Sequence, residues 1–315
     1  MSSQLEQNSS QALTPRQVKT LNNLISIGAE RPVASSTLAR DLEELIKKGT
    51  ESSIKKWTEK SLYFTKSQYV SMLKCEGAVK AYATIQQDSS IPIQVIVGVI
   101  SHRAVQLSYT HPGREMAEYV KQSIKGARTA DRKIDDWFAT ASQSDQSDVI
   151  MQSTSKVTNF SDDWPRLEEA WSPRFEEPLS SKIGNLTLSC RADLVLGRPR
   201  ADLRQTMMLV DLKSGNLKPE HEEEANFYAL VSTLRHGVPP WRSLIYSLSS
   251  GEYSQPDVTE ETLFNTARNV IQKVNSYIEV MVEEREPLLA PGEQCKYCPI
   301  VESCIESLYK KIATN

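Results

Sequence analysis

The chain has 315 residues, 39% of them apolar and 24% charged, with a formal net charge of −3. These proportions suit a globular protein with one large core or two smaller ones, and they leave nucleic-acid binding open, because a groove can be basic on a mildly acidic protein. No run of about 18 apolar residues appears, and the polar opening Met1-Ser-Ser-Gln-Leu-Glu-Gln lacks the charged-then-apolar order of a secretory signal, so a cytoplasmic protein without a membrane span is expected.

In chain order, residues 1–14 read as a disordered tail, rich in Ser and Gln over its first twelve positions. Helical spacing follows at Leu21, Leu24 and Ile25 and again at Leu38, Leu42, Leu45 and Ile46, so residues 15–66 read as a helical N-terminal extension. Ser67 can cap a helix bearing Val70, Leu73, Val79 and Tyr82, with Cys75 in its middle. Residues 93–102 are apolar enough to be buried as either helix or strand, residues 114–140 read as helix, and the Trp- and Pro-punctuated stretch 142–182 reads as irregular connection with short helical pieces.

From Leu186 the period becomes two. Leu186, Leu188, Cys190, Ala192, Leu194 and Leu196 alternate with Thr187, Ser189, Arg191, Asp193 and Val195, which predicts a strand with one apolar face. A polar turn over 197–205 leads to a second strand from Met207 to Lys213, most simply an antiparallel partner of the first. A helix over 220–236, a strand at 244–248 and an amphipathic helix over 259–284 complete the reading. That last helix delivers the chain to Cys295, Cys298 and Cys304, three of only five cysteines. Such bunching does not suit a secreted disulfide framework; three thiolates within ten residues suit zinc or an iron–sulfur cluster, which needs a fourth ligand from elsewhere. Cys190 falls on the apolar strand face and reads as a packing residue.

Asp211 and Lys213, two apart on one strand, share a face, and Asp193 on the neighbouring strand can meet them. Two carboxylates form a hard oxygen site for Mg²⁺ or Mn²⁺, and a lysine beside them can hold an attacking water near a phosphate. The bland alternative is a solvated ion pair, but an Asp within Met-Met-Leu-Val-Asp-Leu would be costly without a partner. Arg191, Lys182, Lys218, Trp164 and Trp171 offer charge and rings to a nucleic-acid strand, without an assigned role.

The order Ala192-Asp193-Leu194, Val210-Asp211-Leu212-Lys213-Ser214-Gly215 and then Tyr228 resembles the core of the PD-(D/E)XK nuclease superfamily, in its RecB-like branch. Gly98-x-x-x-His102 resembles the upstream histidine motif of that branch. Cys75 with Cys295, Cys298 and Cys304 resembles the split set of the CRISPR-associated iron–sulfur exonucleases and AddB-type nuclease domains. Two positions depart: Cys190 stands where Gly is common, and Glu224 where Gln is usual, adding a carboxylate near the site.

The resemblance implies a restriction-endonuclease-like α/β fold, a mixed sheet flanked by helices, with a nuclease domain over residues 67–304 closed by the cysteines and a tail over 305–315. It implies a Mg²⁺- or Mn²⁺-dependent deoxyribonuclease, an exonuclease preferring single-stranded DNA ends, acting in repair, recombination or CRISPR adaptation beside helicase or adaptation partners. Asp193, Asp211 and Lys213 would be catalytic; His102, Asp193, Asp211 and the Leu212 carbonyl would hold the metal; Glu224 and Tyr228 would be accessory. Cys75, Cys295, Cys298 and Cys304 would carry a four-iron, four-sulfur cluster rather than zinc. The alternatives are a catalytically weak DNA-binding or assembly subunit, and a zinc-stapled RNA-directed enzyme.

Overall fold

The computed structural model describes residues 13–26, 28–58, 61–85, 91–167, 169–256 and 258–306, so most of both expected tails lies outside the described residues. The helix α1, Pro15–Thr20, opens with a Thr14–Gln17 capping box and a Pro in its first turn, and runs into a π-turn at Leu21–Ile25 that Ser26 ends in the left-handed region. There follow α2, Leu38–Ile54, then a short strand β1, Leu62–Thr65, and α3, Lys66–Lys74. Within the stretch expected to be helical, β1 is therefore a strand. Thr65 rather than Ser67 caps α3, its hydroxyl accepting the Gln68 N–H and Gln68 answering the Thr65 N–H. Cys75 does not sit inside a helix: its extended backbone (φ −166°, ψ 117°) separates α3 from α4, Glu76–Thr84.

The segment whose pattern fits helix or strand is helix α5, Ile93–Thr110, and residues 114–140 divide into α6, Met116–Ala130, and α7, Arg132–Thr140. The stretch 142–182 is far more regular than its composition suggests. It holds the 21-residue helix α8, Gln143–Asp163, and the ten-residue strand β2, Arg174–Ile183. In α8 the buried side chains are sparse, Val149, Val157 and Phe160, and Ser153 shares their face, so the apolar signal is weak. Pro178 fits in β2 because that strand pairs only with β3, Leu186–Leu196, leaving its other edge free of ladder bonds among the described residues. The chain closes with β4, Met208–Lys213; α9, Glu220–His236; β5, Arg242–Ser247; β6, Tyr253–Ser254; and α10, Glu260–Met281. None of these helices is long and apolar enough to cross a membrane.

The six strands form one mixed sheet of order β1-β3-β4-β5-β6, with β2 also on β3. Helices cover both faces. Leu42, Ile46, Phe64, Phe227, Val270 and Val274 fill one side, against α2, α9 and α10, while Ile100, Val120, Phe160, Val210, Leu212 and Tyr246 fill the other, against α5, α6 and α8. Each such side chain, fully buried, contributes about 1.5–3 kcal/mol.

Double coverage corrects the one-faced reading of β3. Leu186, Leu188 and Ala192 face the α9 side, but Leu194 and Leu196 face the α5 side, and Val195, on the expected polar face, is buried. The switch falls at Asp193, opposite Glu176 of β2. Glu176 adopts φ +52°, and the pair drops out of an otherwise continuous β2–β3 register.

At the far end of β3, Gly197 holds φ +78°, and a Cβ there would lie 2.3 Å from the Thr206 carbonyl oxygen. Gly197→Ala is expected to lose about 1–3 kcal/mol of stability in urea denaturation. Gly113→Ala, at φ +99° with nothing within 4 Å, loses only the smaller backbone cost.

Candidate active site at the fork of the sheet

Along one edge β3 pairs with β2 from Leu186 to Val195. Its opposite edge is divided: β1 runs parallel to Leu186–Ser189, and β4 runs antiparallel to Leu194–Leu196. Residues 190–193 lie between the two partners, with no strand beside them on that edge. Asp193 uses the gap. Its Oδ2 accepts the Leu212 N–H at 2.6 Å, a bond a continued ladder would have given to a backbone carbonyl. Leu212 thus enters the site through its amide.

His102 comes from α5 across the fork, its Nδ1 3.3 Å from Asp193 Oδ1. Gly98, one turn earlier, allows that approach: a Cβ would stand 3.3 Å from Ser214 Oγ, just past β4. Glu176 joins them, and ligand atoms of His102, Glu176 and Asp193 all lie within 4.8 Å of one another. Glu176 has no counterpart in the sequence reading, because its strand reads as loop; its signal is the position opposite Asp193, visible only with the β2–β3 register in hand.

Asp211 and Lys213 share a face as their spacing requires, and Lys213 Nζ lies 2.7 Å from Asp211 Oδ2. That oxygen is buried against the ammonium, and its second lone pair keeps acceptor capacity. Glu224, on α9, is not a bystander. Its Oε2 accepts from Lys213 Nζ at 2.6 Å and from Lys66 Nζ, at the start of α3, at 2.8 Å. Tyr228, one turn along α9, is buried, with Lys66 5.7 Å above its ring.

The charges follow from these contacts. Burial by itself would push Glu224 up, but Lys213 and then Lys66 hold it down at about 2. Burial would lower Lys213, yet Asp211 and Glu224 raise it, so it stays an ammonium. Burial raises Asp211, with Asp193 adding to the rise. Burial would also raise Asp193, but His102 and the Leu212 N–H bring it below the ordinary carboxylate range. His102 is raised despite burial, chiefly by Asp193, and Glu176 is raised by burial and by Asp193. Crowded carboxylates and an imidazole form a donor set suited to a hard divalent ion.

The four cysteines also come together. Cys75, Cys295, Cys298 and Cys304 line one small cavity against Gly77 and Leu289. The Gly292 N–H donates to Cys295 Sγ at 3.4 Å, and the Ile300 N–H donates to Cys298. Beside the cavity, buried Glu76 accepts from Arg285 at 2.6 and 3.0 Å and from the Leu288 N–H at 2.9 Å, binding the C-terminal segment to α4. Cys190 is half-buried, packed at the edge of the core, with its thiol pushed up to about 12 by burial. Trp164, weighed for strand contact, is instead fully buried on Phe160, whereas Trp171 is half-buried at a surface cleft.

Residues 73–305 match the family model of the PD-(D/E)XK nuclease superfamily. No curated protein matches the chain. Among solved structures, the chain is similar to a candidate exonuclease from Eubacterium rectale at 13% identity and a TM-score of 0.49, over 80% of this chain and 91% of that one.

Because the folded carboxyl of Glu224 sits below its ordinary value of 4.5, its stabilising contribution is complete above that value and disappears as pH falls from there toward about 2. Unfolding free energies measured in urea across this range should therefore fall more steeply for the wild type than for Glu224→Gln, which should also be the less stable of the two at neutral pH.

Proposed function

The chain belongs to the PD-(D/E)XK nuclease superfamily, and from that premise we propose that it is a metal-dependent deoxyribonuclease working from single-stranded DNA ends as an exonuclease. The observation that carries the reading is the fork itself, where His102, Glu176 and Asp193 converge beside buried Asp211 and a charged Lys213. His102, Asp193 and Glu176, with Asp211 alongside, would hold Mg²⁺ or Mn²⁺. The bound ion supplies Lewis-acid stabilisation of the phosphate charge and a more acidic water.

The remaining work belongs to the chain. Lys213, kept cationic by Asp211 and Glu224, donates to the attacking water and to the charge growing on the phosphate; it does not remove a proton. Water oxygen joins phosphorus, the bond to the leaving oxygen breaks, and the proton of the water reaches that oxygen through solvent. Glu224, where an amide is usual, acts as a positioning residue that fixes Lys213, and Lys66 balances the added charge. DNA repair, recombination or CRISPR adaptation, beside a helicase or adaptation partner, is the setting in which such an activity fits.

For the cysteines we propose a four-iron, four-sulfur cluster. The four cysteines share one cavity, and the N–H donors at Cys295 and Cys298 suit anionic sulfur ligands; the resemblance of this split set to that of the iron–sulfur nucleases favours the cluster over zinc.

Anaerobically purified protein should degrade end-labelled single-stranded DNA with Mn²⁺, and Lys213→Ala of equal iron content should be at least about 100-fold slower. Absence of activity in both, with the cluster intact and duplex DNA also tried, would favour a binding or assembly subunit, whereas equal degradation by both would reject the role of Lys213. Metal and sulfide analysis should give about four irons and four sulfides per chain with visible absorbance, lost in Cys75→Ser; one colourless zinc per chain would overturn the cluster.

A further inference from the structure

A second feature lies at the other end of β4. There an open cleft of about 440 Å³ is walled by Trp171 and Trp241, floored by Leu196 and Met208, and rimmed by Arg31 and Arg198. Met208 stands three residues before Asp211, about 10 Å along the strand.

Three arginines, Arg31, Arg198 and Arg200, line the cleft. The Arg31 guanidinium lies 3.3 Å from the Trp241 ring centroid on one contact and Arg242 lies 3.8 Å from the same centroid. Among the described residues, no carboxylate comes within 4.0 Å of Arg31, Arg242 or Arg198, although Arg200 nearby is paired with Asp202. Arg31 Nη2 donates to the carbonyls of Ile25 and Ser26 at 3.0 and 3.2 Å, and Arg242 Nη1 donates to those of Asn23 and Leu24. Closing the end of the π-turn accounts for those two nitrogens. It leaves Arg31 Nη1, which is buried and has no hydrogen-bond partner, and it leaves Arg198. Burial and the nearby Arg242 both press against the Arg31 charge. Unpaired buried donors and mutually repelling guanidiniums cost stability, which an anion of fork-matching geometry would offset.

We propose that this cleft binds the phosphate of a nucleotide, with Arg31 and Arg198 on the phosphate and the base against Trp171. The nucleotide identity of the anion rests on the nuclease reading; the anion site rests on the arginines alone. Its source is either a free mononucleotide, the product of cutting, or a phosphate within the strand being cut.

The test uses the full chain as Lys213→Ala in EDTA, titrated by calorimetry with dTMP and inorganic phosphate and by anisotropy with a fluorescein-labelled twelve-residue oligothymidylate. Arg31→Gln and Arg198→Ala are each added to that background. Binding of dTMP weakened at least tenfold by Arg31→Gln and several-fold by Arg198→Ala supports a mononucleotide site. The same losses seen with the oligonucleotide alone support a strand site. Arg198 is exposed, so its variant should keep the parent melting temperature and remains informative if Arg31→Gln misfolds. Equal binding by all variants, no binding by a chain whose wild type cuts DNA, or phosphate binding as tightly as dTMP would overturn the proposal. Arginine-dependent nucleotide binding by a chain that cuts nothing would retain this site and reject the nuclease reading.

Discussion

Everything at the candidate site depends on the divided edge of β3. A strand edge normally satisfies its backbone with one neighbour, whereas here β1 takes Leu186–Ser189 and β4 takes Leu194–Leu196. Between them a carboxylate can replace a backbone acceptor, and Asp193 does so by accepting from Leu212. The same fork brings the start of α3 beside the end of β4, which is why Lys66 reaches Glu224. A continuous ladder would have closed the opening and turned Asp193 into an ordinary strand residue.

Charge at the fork is balanced in two layers. Asp193 and His102 stabilise each other on the α5 side, and Lys213 joins Asp211 to Glu224 on the α9 side. A carboxylate at Glu224 is tolerable because two ammonium groups meet it; alone, so buried an acid would be driven neutral. The consequence is a lysine whose proton is held firmly, suited to donating and not to acting as a base. Buried networks of this kind are costly when incomplete, so Lys66, Glu224 and Lys213 are best regarded as one unit.

The N- and C-terminal parts are joined beside the cysteines by contacts of their own. Glu76, next to Cys75, takes three hydrogen bonds from Arg285 and Leu288, and Leu289 packs so closely on Gly77 that a Cβ there would come within 2.4 Å. Cys75 escapes both helices through its extended backbone and so presents its sulfur to the cavity formed by the C-terminal turn. The cavity is thus assembled by packing and ion pairing across more than 200 residues of sequence.

Much of this was legible in the sequence where the signal is local. The parity of Asp211 and Lys213, the antiparallel partnership of their strand with that of Asp193, and the helices over 220–236 and 260–281 follow from periods of 2 and 3.6. The cysteine grouping was legible as a shortage of other reasons for three thiols so close together. What escaped was set by distant partners. β2 reads as a loop because its ladder is with β3 alone and it contains Pro178; α8 reads as irregular because few of its residues meet the core; Glu176 stays hidden because its aim comes from a left-handed backbone opposite Asp193. Residue order determined which groups of this protein can ligate, donate and pack. Which of them meet was decided only by the sheet, because the fork that gathers them is a choice of neighbours along β3, and no periodicity within a strand encodes the strand beside it.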